Sequence, residues 1–412
     1  MADSAGAPRF TEIPKKRILF VAEAVTLAHV ARPAALARGL ADADYDVHLA
    51  QHPRYRQLQG EVPATEHAIE SITPQAFNAA LSQGAPLYDL ATLKSYVEAE
   101  RELIARIRPD IVVGDFRITL AVSAALAGVP CVTIGNACWS PYVRQHYVAP
   151  DLPVTRRFGP VLGQALFSLA RPLAFAAHCL PMRALRRHYG LASLGFDLAR
   201  VYTHGDYTLY ADLPSLYRTR PLPEHHRFIG PVLFSPAGPL PDWWNTLPED
   251  KRAVYVTPGS SGSAALLPAI LEALGGLDVA VMLATAGADI VTPVADNISV
   301  AAFLPGDAAA ARADLVICNG GSPTTHQALA CGRPVLGIAG NMDQFLNMQT
   351  LTRAGAGACL RADVLTPRRL RDAVTRMLET RRFADRAVEL QRQIDDCDGV
   401  ANFRAVIDAI TM

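Results

Sequence analysis

At 412 residues, 50% hydrophobic and 19% charged, the chain has room for two or three domains of roughly 100 to 200 residues, and its composition excludes disorder, collagen and coiled coil. The 39 Lys+Arg balance the 39 Asp+Glu, so there is no electrostatic footprint for phosphate-backbone binding and no nucleic-acid partner is expected. Seven scattered cysteines without a CxxC pair suit a reducing, cytoplasmic setting.

In chain order, residues 1–17 lack the pattern of a signal peptide, and the apolar run 18–30 is broken by Glu23 and His29, so no export signal is expected. Residues 17–22 read as a buried parallel strand, 30–40 as a helix and 47–50 as a second strand. The rhythm recurs with strands at 111–113 and 131–134 around an alanine-rich helix at 120–127, which is α/β alternation. Residues 158–190 read as helices with a basic end (Arg183, Arg186, Arg187, His188). The most membrane-like stretch, 158–182, is interrupted by Arg171, Pro172 and His178 and is not expected to span a bilayer.

Strands follow at 207–210 and 228–232. The stretch 234–252 then holds four prolines (Pro236, Pro239, Pro241, Pro248) and the pair Trp243 and Trp244, a composition that suits an interdomain linker. Beyond it the rhythm restarts with a strand at 253–257, a helix at 264–274, and strands at 279–283, 298–301, 315–318 and 334–338. Two doubly wound halves are implied, with a cleft between them as the ligand site. The expected boundaries are an N-terminal domain 1–235, a linker 236–252, a C-terminal domain 253–395, and a final helix 396–412 returning to the N-terminal domain.

The most informative segment is residues 315–330. A strand ends at Cys318, Gly320 and Gly321 allow a tight turn, and Ser322, Pro323 and Thr324 open a helix, with proline suited to the first turn. Free N–H groups, the positive end of the helix dipole and the hydroxyls of Ser322, Thr324 and Thr325 make such a turn an anion site that fits a diphosphate; plain capping chemistry is the alternative. At the rim of the next strand, Asp343 and Gln344 offer a carboxylate and a carboxamide able to hold sugar hydroxyls, the alternative being an Asp N-cap and a solvated turn.

These segments together resemble the nucleotide-sugar-dependent glycosyltransferases of the family 1 type, the GT-B enzymes that include antibiotic, macrolide and plant secondary-metabolite glycosyltransferases. The family pattern, a His-Gly-Gly-Ser-Gly-Thr-Thr turn, a Gly-x-Pro strand, an Asp-Gln-x-x-Asn segment and an Ala-x-Gly-Ala-Gly stretch, is met here by residues 319–325, 332–334, 343–347 and 353–357, the last as Arg-Ala-Gly-Ala-Gly. Residues 300–305 look like its nucleobase loop, 254–261 like its strand-to-Gly-Ser turn, and 228–232 like the phrase closing its N-terminal domain. The resemblance implies an α/β GT-B fold of two Rossmann-like domains facing across a cleft. It also assigns Gly259, Ser260, Ser261, Phe303, Leu304, Asn319, Gly320, Gly321, Ser322, Thr324, Gln327, Asp343 and Gln344 to a UDP- or dTDP-sugar. Three departures stand out. The family histidine is Asn319, which offers a hydrogen bond without positive charge, and the glycine after the serine is Pro323; the family's ribose-binding glutamate aligns with Gln327.

In the N-terminal half His29 matches the family's catalytic histidine and Asp115 the aspartate that orients it; without the resemblance a lone histidine is more readily structural. An imidazole can take a proton from a hydroxyl near neutral pH when a carboxylate fixes its tautomer. Trp139, His146 and Tyr147 are candidates for an aromatic acceptor pocket or, equally, loop packing, and Glu23 for a site acid or a loop charge. Asp44 and Asp46 fit a DxD spacing but read as solvated loop, and Cys318 and Cys331 read as core residues, so neither metal nor other cofactor is expected. The implied reaction is inverting, metal-independent hexosyl transfer to a hydrophobic or amphiphilic natural product or lipid-like alcohol, with weak peripheral membrane contact through the basic helical segment. A nucleotide-sugar epimerase, a non-catalytic nucleotide-sugar-binding partner and a protein-glycosylating enzyme remain open, and no oligomeric state is indicated.

Overall fold

The computed structural model describes residues 15–41, 45–235, 238–259, 264–289 and 294–411. Seven strands form an all-parallel sheet: β1 (Lys16–Ala22), β2 (Tyr45–Gln51), β3 (Thr65–Ala68), β4 (Ile111–Asp115), β5 (Cys131–Gly135), β6 (Tyr207–Tyr210) and β7 (His226–Phe228), in the order β3-β2-β1-β4-β5-β6-β7. Six more, β8 (Arg252–Thr257), β9 (Val279–Ala284), β10 (Ile298–Ala301), β11 (Leu315–Cys318), β12 (Val335–Ala339) and β13 (Gly357–Arg361), form a second parallel sheet in the order β10-β9-β8-β11-β12-β13. In each sheet the order reverses at one point, between β1 and β4 and between β8 and β11, where ligands of open α/β sheets bind beyond the carboxyl ends of the strands. Ala22 pairs with Asp115 at the first switch point and Thr257 with Cys318 at the second.

Both faces of each sheet are covered, which is why the strands read as continuous apolar runs rather than alternating ones. In β1, Ile18 and Phe20 join one core with Leu36, Leu49, Ile111 and Phe403, while Leu19 and Val21 join another with Leu103, Ile104 and Val112. A further apolar cluster draws Tyr210, Leu213 and Tyr217 of the N-terminal half together with Tyr255, Val316 and Leu346 of the C-terminal half. The two halves therefore share buried surface as well as a cleft. The closing helix Gly399–Thr411 lies against the first helix, Leu27–Leu40, and its Phe403 ring is 5.9 Å from Phe20.

Several expectations need correction. The strand expected at 228–232 ends at Phe228, because Gly230 turns the chain with φ of 91° and Pro231 has no N–H to donate to a ladder. The proline-rich stretch is anchored to the C-terminal half: the Trp243 indole donates to the Val300 carbonyl at 2.9 Å, and Arg312 donates to the Trp244 carbonyl at 2.6 Å. Of the DxD pair, Asp44 lies outside the described residues and Asp46 stands in β2, 3.4 Å from His48.

Residues 158–182, read as helical but not expected to span a bilayer, belong to one helix, Pro153–His188, kinked at Gly159; by length and composition alone it could cross a membrane. Pro172 and Pro181 are accommodated inside it, and Gly163, Phe167, Cys179, Met182 and Leu185 are buried, with the helices Leu90–Ile107 and Leu198–Thr203 as neighbours.

Two predictions concern this frame. Phe403→Ala leaves a cavity between the closing helix and β1 and is expected to cost about 3 to 5 kcal/mol, read as a lower urea midpoint. Burial pushes the imidazoles of His204 and His226 down to about 4. The folded state therefore resists protons that the unfolded chain binds, and these groups cost stability progressively as pH falls from about 6.5 to about 4. Replacing both with Gln should flatten the acid limb of a Tm-versus-pH curve; an unchanged slope would discount them.

Candidate active site

Helix Leu27–Leu40 starts directly beyond β1, so its first turn carries His29 over the first switch point, where β4 delivers Asp115. His29 Nδ1 is 2.8 Å from Asp115 Oδ1; an N–H donated there leaves Nε2 as the nitrogen able to accept a proton. The imidazole stacks on Phe116, centroids 4.6 Å apart, and Phe116 holds φ of 54°, a left-handed backbone costly for an aromatic residue and of the kind that collects at functional sites. Asp115 is fully buried. Its charge is met by Arg32, one turn after His29, which donates from Nε to Oδ2 at 2.7 Å and from Nη2 to Oδ1 at 3.0 Å. Burial disfavours the Arg32 charge, but Asp115 outweighs it and the guanidinium is held above its ordinary range.

The network continues across the cleft. Arg32 Nη1 donates to Asn136 Oδ1 at 3.0 Å, and the Asn136 amide reaches Asp212, whose Oδ2 also accepts the Ala137 N–H at 2.6 Å. Asp212 Oδ1 is 3.2 Å from His326 Nε2, on the helix Ser322–Ala330 of the opposite domain. Burial alone would raise the Asp212 carboxyl; His326, the Ala137 N–H and Arg32 overcome it and hold it down. None of Arg32, Asn136, Asp212 and His326 stood out in the sequence. The one available signal was Arg32 standing three residues from His29, on the same helical face.

At the second switch point β11 feeds the turn Asn319–Gly321 and the helix Ser322–Ala330, whose N-cap, Gly321, supplies no side-chain cap. The first-turn N–H groups are thus left for an anion in the cavity. Gly320 has φ of 84°, and a Cβ there would lie 2.6 Å from Met348 Cγ. Asn347 braces the turn, donating to the Gly320 carbonyl at 2.8 Å and to Thr325 Oγ1 at 2.9 Å. Thr325 is wholly buried and gives its hydroxyl to the Ser322 carbonyl, which corrects its expected place facing the ligand.

A single cavity of about 1560 Å³ joins the two switch points. His29, Asp115, Trp139, Gly259, Phe303, Leu304, Asn319, Gly321, Ser322, Thr324, Gln327, Asp343 and Gln344 all border it. Gly320 does not line it and acts through the turn. Ser260 and Ser261 lie outside the described residues. Asp343 Oδ1 accepts the Trp139 indole N–H at 2.8 Å, joining a residue expected at the sugar to one expected at the acceptor. Gln344 is buried and its Oε1 accepts the Gly340 and Asn341 N–H groups in a capping box, so its oxygen serves the helix rather than a ligand and the N-cap is Asn341, not an aspartate. Gln327 gives an amide N–H to the Phe234 carbonyl.

His146 and Tyr147 do not line the cavity. His146 offers its carbonyl to Gln349, while the Tyr147 ring stands behind the lining residues Phe175 and Arg171. Glu23 is a buried structural charge, paired with Arg117 at 2.8 Å and accepting from Tyr96; burial raises its carboxyl despite Arg117. Among the described residues no group of three or more His, Cys, Asp or Glu is placed to hold a metal ion.

Two doubly wound parallel sheets facing one cavity, with a histidine on a buried aspartate at one switch point and an uncapped helix N-terminus at the other, define a GT-B glycosyltransferase. Comparison with known proteins agrees. Residues 268–396 match the erythromycin biosynthesis protein CIII-like C-terminal domain. The chain is 50% identical over 376 residues, 91% of its own length and 84% of the relative's, to a PGL/p-HBAD biosynthesis rhamnosyltransferase of Mycobacterium bovis (strain BCG / Pasteur 1173P2). It is 48% identical over 392 residues, 94% and 92% of the two lengths, to a PGL/p-HBAD biosynthesis glycosyltransferase of Mycobacterium tuberculosis (strain ATCC 25177 / H37Ra). Spinosyn rhamnosyltransferase, solved with thymidine diphosphate, shares the fold at a TM-score of 0.67 and 21% identity, over 95% of this chain and 99% of that one. The chain belongs to the nucleotide-sugar-dependent glycosyltransferases of the family 1 type, and it is a glycosyltransferase.

Gly320→Ala must both strain a left-handed backbone and displace Met348. We expect it to weaken nucleoside diphosphate binding at least about tenfold by calorimetry, a loss of about 1.4 kcal/mol. Wild-type affinity in the folded variant would show that the turn does not hold the diphosphate.

Proposed function

We propose that this enzyme moves a deoxyhexose, rhamnose, from a dTDP-sugar to a hydroxyl of a lipid-like phenolic acceptor, with inversion and without a metal ion. The observation that carries the reading is the placement of His29, Asp115 and Arg32 across one cavity from the uncapped helix N-terminus at Gly321. The sugar and acceptor class are supported by the mycobacterial relatives of that description, and the nucleotide by the thymidine diphosphate bound in the spinosyn enzyme.

In the proposed step His29 Nε2 removes the acceptor hydroxyl proton as that oxygen attacks the anomeric carbon. The anomeric C–O bond to the diphosphate breaks, and its electron pair leaves with the nucleotide. Asp115 orients the imidazole and stabilises the imidazolium, and Arg32 holds the carboxylate in place. The leaving diphosphate is met by the first N–H groups of helix Ser322–Ala330 with Ser322 and Thr324, donors fixed before the charge develops. Attack from the face opposite the departing diphosphate gives the inverted product. Asn319 supplies no charge here, so a protein that binds donor without transferring sugar is the reading to be tested against this one.

The test combines dTDP, UDP, GDP and ADP thermal shifts with a transfer assay using dTDP-rhamnose and a soluble alkylphenol. A selective shift with dTDP is expected, since a ligand at about 100 times its dissociation constant adds about 2.7 kcal/mol of stability. His29→Ala should keep that shift while turnover falls by about 10² to 10⁴. Undiminished transfer by His29→Ala would remove it as the base. Binding without transfer by the wild type would favour the non-catalytic reading.

A further inference from the structure

Helix Pro153–His188 buries one side and leaves the other bare. Val161 is 88% exposed, Leu169 80% and Leu173 78%, with Leu162, Leu166 and Leu180 also open to solvent. Residues 162, 166, 169, 173 and 180 fall within one helical stripe, Val161 stands at its flank, and the exposed Phe158 precedes the kink at Gly159. In a chain with zero net charge this helix carries Arg156, Arg157, Arg171, Arg183, Arg186 and Arg187 and no Asp or Glu. Arg157 and Arg187 are exposed, and Arg183 lies over the exposed Phe196 ring at 4.0 Å, while Arg156 is paired with Asp151 and Arg186 is buried.

We propose that this face docks on an anionic lipid surface and passes the acceptor from the bilayer into the cavity. Leucines bordered by arginines and free of acids are what an interfacial helix presents to acidic headgroups. Continuity supports the delivery route, because Leu166, Leu169 and Leu173 belong both to the bare stripe and to the wall of the catalytic cavity. A second copy fits less well. Helical pairing along a 4-3-4 stripe draws on opposite charges beside the seam, and here it would set arginine against arginine. The delivery route rests on the lipid-like acceptor proposed above; docking does not.

The experiment is co-sedimentation of the full chain with mixed phosphatidylglycerol and phosphatidylcholine vesicles, and with phosphatidylcholine alone, at low and high salt. Binding to the anionic vesicles is expected, weakened by salt and at least about tenfold weaker on neutral ones. The double variant Val161→Glu with Leu180→Glu touches neither the cavity wall nor the base. It should lose at least about tenfold in vesicle affinity while keeping the dTDP shift and transfer to a soluble alkylphenol. Equal binding by variant and wild type, or none by either, overturns the proposal. So does a wild-type dimer that the variant dissolves in sedimentation without any vesicle binding. Docking that holds while transfer to the alkylphenol fails would instead count against the proposed reaction.

Discussion

The site depends on one buried ion pair. Asp115 lies fully buried at the carboxyl end of a central strand, where a polar side chain is costly unless donors meet it. Arg32 does so with two hydrogen bonds, and the remaining valence of the carboxylate goes to His29. The order of these contacts matters. A carboxylate held at both oxygens by a buried guanidinium is restrained from rotating away from the imidazole, so the orientation of His29 depends on Arg32 as well as on Asp115.

Arg32 also extends that constraint to the other domain. Through Asn136 and Asp212 it meets His326 on the helix whose N-terminus faces the cavity, so His29 and the glycine turn are fixed against a common buried frame. The apolar cluster shared by the two halves holds that frame closed. Relative position across the cleft is therefore set by packing and by charge together, which suits a reaction whose two ends belong to different domains.

Much of the fold was legible because parallel strands covered on both faces appear as short apolar runs, as at residues 17–22, 131–134 and 315–318. Strand β3, Thr-Glu-His-Ala at an exposed edge, carries no such signal and was missed. The glycine turn, His29 and Asp115 were readable since each sits at the end of a legible strand. Asn136, Asp212 and His326 were not, because residues 136, 212 and 326 meet only in the folded chain. Gln344 and Thr325 show a second reason: a polar side chain beside a ligand turn can be consumed by the turn itself, as their hydrogen bonds to backbone demonstrate.

The Trp139–Asp343 hydrogen bond bears on modularity. Two-domain folds of this kind invite recombination, one half supplying the acceptor wall and the other the donor site. Here the Asp343 carboxylate on the cavity wall is shared with an indole from the opposite half. A graft of the C-terminal half onto a foreign N-terminal half would carry the diphosphate turn intact, yet would leave Asp343 without the partner that orients it. The placement of Asp343 is therefore a joint property of both halves, and exchanging them would not transmit it.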